Sequence, residues 1–198
     1  MSSDFDLTII TPTIPEREGL YAELCACIAA QTVAPKHLTK LDVEHQGVIP
    51  TVNELADEVD TEWLFPLADD DLLDADHCEV LSHWLSREAD VFYTWCRIEG
   101  GGEEHPENQF QVNLQEAYGW DYLRTANWIP ASAAIRTDLW CSLGGYQQSE
   151  WTDHEDWDFW VRALDAGATF ACIPAVTWTY RMNAEWDHLS TARNERAA

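Results

Sequence analysis

Three adjacent carboxylates, Asp69, Asp70 and Asp71, follow directly on a short apolar run, Trp63-Leu64-Phe65-Pro66-Leu67-Ala68. The run has the length and aromatic content of a buried strand, so the three acids fall where that strand ends. Crowded carboxylates repel one another at close range. A hard divalent cation, Mn2+ or Mg2+, offsets that repulsion, because such metals prefer carboxylate oxygens and leave room for a diphosphate. The competing reading is a solvated loop in which an Asp caps a helix starting near Ala75. A second acidic pair, Glu155-Asp156, opens a helix predicted to run to Ala166 with Phe159, Trp160 and Leu164 as its apolar face. Acids in a first helical turn interact favourably with the helix dipole. One of this pair, desolvated among Trp151, Trp157 and Trp160, would have a raised pKa and could serve as a general base.

These residues need elements to hold them. Leu7–Thr11 reads as a first buried strand stopped by Pro12, and Glu16–Ala30 as a helix with Leu20, Leu24 and Ile28 on one stripe. Strands are predicted over Leu38–Val43, Trp63–Leu67 and Asp90–Trp95, with helices over Val52–Val59 and Ala75–Leu85 between them. Strands alternating with helices predict an α/β fold with a mostly parallel sheet flanked by helices. In such a sheet, ligands bind beyond the carboxyl ends of the strands. Three polar clusters fall there: Thr11-Pro12-Thr13 with Arg17, Asp42 with Glu44, and Asp69-Asp70-Asp71. Together they suggest a shared nucleotide pocket.

The texture changes at the polar turn Glu99–Pro106, which divides residues 1–98 from residues 99–198. The second half reads as a strand over Ser132–Arg136, a helix over Thr137–Leu143 stopped by Gly144-Gly145, the Glu155–Ala166 helix ended by Gly167, and two strands split by Pro174. The two halves are expected to form one compact domain, the first binding a donor and the second an acceptor.

Composition narrows the function classes. The chain has 198 residues, 46% of them hydrophobic, with 36 acidic and 11 basic residues and a formal net charge of −25. A core is within reach, and a surface this acidic repels nucleic acid and anionic lipid. It still admits a small phosphorylated ligand held by a metal and a few arginines. No stretch is long and apolar enough for a membrane span, and the acidic N-terminus lacks the order of a signal peptide, so a cytoplasmic protein is expected. The six cysteines form no CxxC pair or zinc spacing and read as buried free thiols.

Taken together, the chain resembles the inverting, nucleotide-sugar-dependent glycosyltransferases of family 2, which have the GT-A fold. The resemblance spans Leu7 to about Ser190. It rests on the opening strand with Pro12-Thr13 and the following Arg17, on Gln31-Thr32, on Asp69-Asp70-Asp71-Leu72-Leu73, and on Gly144-Gly145-Tyr146 followed by Glu155-Asp156-Trp157. It implies a UDP- or GDP-sugar donor. Thr11, Pro12 and Asp42 would line its base and ribose pocket, with Thr13, Arg17, Asn53, Asp69, Asp70 and Arg181 completing the donor site. The triplet would be the DxD-type metal site. Asp69 with Asp71 is the favoured pair, and Asp70 stands close behind. Asp156 matches the catalytic base, with Glu155 beside it. The chain departs from the family pattern at Ala68, where the acidic run often starts, and at Asn183, where a His is usual. His188 is the candidate to replace that His as a metal ligand.

The implied reaction is glycosyl transfer to an acceptor hydroxyl on a glycan, protein or small molecule. Two rival classes share these features. A nucleotidyltransferase also pairs a nucleotide pocket with metal-binding carboxylates, but the segment after the first strand here, Thr13–Gly19, holds one basic residue. A non-catalytic carbohydrate-binding protein would use some of the 11 tryptophans for stacking.

Overall fold

The computed structural model describes residues 5–85, 87–100, 119–148 and 154–182. The strands are β1 (Leu7–Thr13), β2 (Lys36–Leu41), β3 (Trp63–Pro66), β4 (Leu72–Leu73), β5 (Val91–Glu99), β6 (Ala134–Arg136) and β7 (Phe170–Arg181). The α-helices are α1 (Glu18–Ala29), α2 (Val48–Ala56), α3 (His77–Ser82), α4 (Thr137–Leu143) and α5 (Glu155–Asp165). Short 3-10 turns cover Pro15–Arg17 and Trp120–Arg124.

These strands form one seven-stranded sheet in the order β2-β1-β3-β6-β5-β7-β4. β1 lies parallel to both β2 and β3, and β5 parallel to β7. The β3–β6, β5–β6 and β4–β7 junctions are antiparallel. The sheet is therefore mixed, with its parallel block at the N-terminal end. Strands from the second half of the chain, β6 and β7, sit between strands from the first.

Side chains alternate across this sheet with the two-residue period of extended backbone. Leu7, Ile9, Trp63, Phe65 and Phe92 join Leu24 and Ile28 of α1 and Cys78 and Leu81 of α3 in one buried cluster. Ile10, Leu64, Val91 and Tyr93 join Val52 and Leu55 of α2, Trp140 of α4, and Phe159, Trp160 and Ala163 of α5 in the other. Helices thus cover both faces, as buried parallel strands require.

Two of the departures from the sequence reading serve the site. β1 runs through Pro12 to Thr13, so its polar end reaches the acidic triplet. Pro174 does not split the last strand. It falls where the register slips, between the Thr94–Ile173 and Trp95–Val176 partners. A bulge absorbs the proline's missing N–H, and β7 continues unbroken to Arg181. The six cysteines are free, as expected, but only Cys78 and Cys96 are buried and Cys141 is exposed. Among the described residues, no helix is long and apolar enough to cross a membrane.

Candidate functional site

The parallel strands β1, β2 and β3 deliver their carboxyl ends side by side, because their registers run Thr13 with Leu41 and Ile10 with Pro66. Beyond β3 the chain turns tightly, with the Asp71 amide bonded to the Ala68 carbonyl at 3.3 Å. That turn packs the acidic triplet against β1 and β7. Thr13 Oγ1 donates to Asp69 Oδ2 at 2.7 Å. Arg17, closing the first 3-10 turn, donates through Nη1 to Asp69 Oδ1 at 2.8 Å and approaches Asp70 Oδ2 at 3.3 Å.

The end of β7 approaches from the opposite side. The Arg181 amide donates to Asp71 Oδ1 at 3.2 Å, and its Nε bonds the Asp70 carbonyl. Its Nη1 pairs with Glu23 of α1 at 2.7 Å. Nη2 of Arg181 is buried with no hydrogen-bond partner among the described residues. Thr13, Arg17, Asp69, Asp70, Asp71 and Arg181 therefore form one continuous network.

Asp69 and Asp71 are both 2% exposed. Burial pushes the Asp71 carboxyl well above the usual range, and the Asp70 charge adds to the effect. Burial raises Asp70 too, with Arg17 opposing. Three carboxylates thus share two guanidiniums, one of which also serves Glu23. The chemistry of the donor set fits a hard divalent cation, since the surplus charge sits on carboxylate oxygens. Among the described residues, no group of three or more His, Cys, Asp or Glu side chains is gathered to hold a metal ion. Such a cation would therefore draw on two carboxylates of the triplet, Asp69 with Asp71 or one of these with Asp70, together with oxygens from a ligand.

A fastening holds the triplet's loop from below. The Gln31 carboxamide donates to the Cys27 and Asp74 carbonyls and accepts from the Cys78 amide. It ties the end of α1 to the segment running from the triplet into α3. Gln31 entered the sequence reading only as part of the resemblance.

The other expected donor residues are distributed around this network. Thr11 Oγ1 lies 3.1 Å from His37 Nε2 on β2. Pro12 is in register with Lys40. Asp42, directly after β2, accepts the Gln46 and Gly47 amides, both at 2.9 Å, so its carboxylate shapes the loop into α2. Asn53 is engaged by the second half of the chain. Its Nδ2 donates to the Tyr146 carbonyl at 2.8 Å, and its Oδ1 accepts the Tyr146 amide at 2.9 Å. His188 and Trp151 lie outside the described residues.

The second acidic cluster opens α5. Asp156 Oδ1 accepts its neighbour's amide, from Trp157, at 2.7 Å, and Oδ2 accepts Asn127 Nδ2 at 3.1 Å. Burial nevertheless dominates and raises its pKa, against these hydrogen bonds and the nearby His154. The Trp157 indole N–H is anchored on the Leu123 carbonyl at 2.6 Å. Trp160 is wholly buried and bonds the Ile129 carbonyl. Burial, then the Asp156 and Glu155 charges, push the Tyr146 hydroxyl well above its usual pKa. Asn127 is the partner that sequence reasoning missed in this role, because 29 residues separate it from Asp156 and no spacing rule joins them.

Known proteins resemble this chain in fold rather than in sequence. No protein-family model matches it, and no curated protein matches its sequence. A 1–349 piece of S. aureus TarS in complex with UDP superposes with a TM-score of 0.69 at 14% identity, over 93% of this chain and 63% of that one. The same piece in complex with UDP-GlcNAc gives 0.70 at 14% identity, over 90% and 59%. The mannosyltransferase PcManGT from Pyrobaculum calidifontis, in complex with GDP-Man and Mn2+, gives 0.65 at 15% identity, over 96% and 60%. The chain thus spans about three fifths of the length of these structures. The architecture is a mixed α/β, GT-A-like fold.

Proposed function

We propose that this chain is an inverting glycosyltransferase that moves a sugar from a nucleoside diphosphate sugar, UDP- or GDP-linked, to an acceptor hydroxyl. The observation that carries the reading is the buried surplus of carboxylate at Asp69–Asp71, flanked by Arg17 and Arg181, at the strand ends of a GT-A-like fold. Neighbours of that fold are described with UDP, UDP-GlcNAc, and GDP-Man with Mn2+.

In this reading the Asp69–Asp71 run, with Asp69 and Asp71 as the favoured pair and Asp70 close behind, would hold Mn2+ or Mg2+, which would supply positive charge against that of the departing diphosphate. Thr11, Pro12 and Asp42 border the nucleoside, and Thr13 steadies Asp69 through its hydroxyl. Arg17 and Arg181 face the diphosphate with their guanidiniums, which suit phosphate oxygens. Asp156 is the general base. Its raised pKa brings it nearer the operating pH, where a base combines ionisation with driving force. The Asn127 and Trp157 hydrogen bonds fix the carboxylate's direction. In the reaction, the acceptor O–H proton passes to Asp156 and the freed oxygen bonds to the anomeric carbon. The bond from that carbon to the phosphate oxygen breaks, and its electron pair leaves with the nucleoside diphosphate. No covalent enzyme intermediate is needed, and the configuration inverts.

The test is a thermal-shift screen of nucleoside diphosphates and their sugars, with Mn2+ and with EDTA, followed by transfer assays with the donors that bind. A ligand that binds only the folded state raises the melting temperature by mass action. The reading expects a shift for UDP or GDP species that shrinks with EDTA and with Asp71→Ala. Equal shifts with and without the metal would remove the metal assignment. Donor binding without transfer to any acceptor would favour a binding module.

A further inference from the structure

Asn53 belongs to α2, in the half of the chain that carries the parallel strands, and Tyr146 follows α4 in the other half. The Asn53 carboxamide grips both polar atoms of the Tyr146 backbone, 93 residues away. The turn it holds has little freedom. Gly144 caps α4 in the left-handed region, and Gly145 follows at φ +65°. A Cβ at Gly145 would drive into the Asn53 oxygen and stand 3.0 Å from Trp140 Nε1.

The same turn is gripped from α5. Arg162 donates to the Leu143 carbonyl at 2.9 Å and to the Gly145 carbonyl at 2.8 Å, and its Nε pairs with Asp158 at 2.7 Å. Between the two grips, the Tyr146 ring packs edge-on against Phe159 of α5, with centroids 6.0 Å apart. Its hydroxyl is buried without a hydrogen-bond partner among the described residues. The ring lies close enough to Glu155 and Asp156 for their charges to act on it. At its other end, α2 is tied to the end of β2 through the Asp42 carboxylate on the Gln46 and Gly47 amides.

We infer that Asn53 is a positioning residue: through the Tyr146 backbone and the turn that Arg162 shares, it fixes the helix bearing Asp156 relative to the strand-end pocket. The inference rests on the proposed base role of Asp156 but concerns a residue whose carboxamide is engaged on both sides by the Tyr146 backbone. It replaces the donor-site role that the resemblance implied for Asn53. A displacement of about 1 Å in a catalytic group lowers turnover on the order of a hundredfold, which sets the expected scale.

The experiment compares the parent with Asn53→Ala in three measurements: nucleoside diphosphate affinity, kcat and its pH profile, and the Asp156 carboxyl titration by NMR in the ligand-free protein. Among the described residues, the groups that act on that carboxyl are His154, Asn127, the Trp157 amide and Tyr146, and none is altered. We expect nucleotide affinity within about twofold of the parent and kcat lowered by about ten- to a hundredfold. The Asp156 titration should move down toward an ordinary aspartate as water enters. A large loss of nucleotide affinity with the Asp156 titration unmoved would overturn the inference and return Asn53 to the donor site. An unchanged titration with unchanged kcat would also overturn it. If the parent transfers no sugar, the proposed function fails while the titration still decides the link between Asn53 and α5. If Asn53→Ala does not fold, Asn53→Asp is judged by the same criteria, since it keeps the acceptor for the Tyr146 amide and opposes the Tyr146 carbonyl.

Discussion

Asp156 is held by opposing forces. Burial raises its pKa while two hydrogen bonds favour its ionised form. A raised folded-state pKa means the folded protein resists ionising this group. Its contribution to stability is therefore full below the unfolded value, near 3.9 for Asp, and is lost as pH rises through the folded pKa. Asp156→Asn should accordingly melt higher than the parent at pH 7 and lose that advantage near pH 3. The same substitution should lower transfer by about a hundred- to ten-thousand-fold, the usual worth of a general base, with donor affinity intact. Glu155→Gln should lower transfer much less if its part is to meet the helix dipole. Melting curves at both pH values and rates at saturating donor check this. Near-parental turnover in Asp156→Asn would place the base elsewhere.

At this scale the sequence was informative about residue types and poor about partners. The triplet and Arg17 stand out as polar residues at strand ends and Arg181 only through the resemblance, and the fold brings all of them into one network. The Asn127–Asp156, Arg181–Glu23 and Asn53–Tyr146 contacts join residues 29, 158 and 93 positions apart. Nothing local marks such pairs.

Elements were legible where one period prevailed. α4 occupies the predicted Thr137–Leu143, with Gly144 in the left-handed region as its stop. β4 was not foreseen, because its two residues form a strand only by pairing with β7. Pro174 misled because a bulge tolerates what a regular ladder would not. A second slip, between the Trp95–Val176 and Cys96–Trp178 partners, releases Thr177 from the β5 register. Its hydroxyl donates to Thr94 Oγ1 at 2.9 Å and lies 2.7 Å from His77 Nδ1. His77, at the start of α3, is buried edge-on against Phe65, and burial lowers its pKa to about 4.

A depressed histidine stabilises the fold above the unfolded value of about 6.5 and loses that stability as pH falls toward the folded one. Between about pH 6.5 and 4 the loss amounts to about 3 kcal/mol. Urea midpoints for the parent and His77→Gln across this range should converge as the pH falls, because only the parent carries the histidine's share. A constant difference would mean His77 does not titrate as its burial requires. Gly145→Ala should destabilise by at least about 1–2 kcal/mol from its positive φ alone, with the collision at Asn53 added. Denaturant unfolding measures it.

The whole molecule carries a formal charge of −25. Lys36, Lys40, Arg17, Arg97, Arg124, Arg136, Arg162 and Arg181 all pair with carboxylates. Arg87 instead lies over the Trp84 ring. The described cations are thus mostly matched, and the remaining acids repel one another across the surface. That repulsion opposes the compact state. It is long-ranged, and salt shortens its reach from about 10 Å at 0.1 M to about 3 Å at 1 M. Salt also weakens the exposed pairs, such as Lys36–Asp60, but each contributes only about 0–1 kcal/mol. With an excess of 25 unmatched charges, relief of repulsion should outweigh that loss. The urea midpoint should therefore rise steadily between 0.1 and about 1 M KCl, a salt chosen because it lacks the strong surface exclusion of sulfate. The same field should keep duplex DNA unbound at physiological salt, since binding there depends on basic side chains displacing counterions from phosphates. A midpoint that falls with KCl would show that local ion pairs, rather than net charge, govern the stability of this fold.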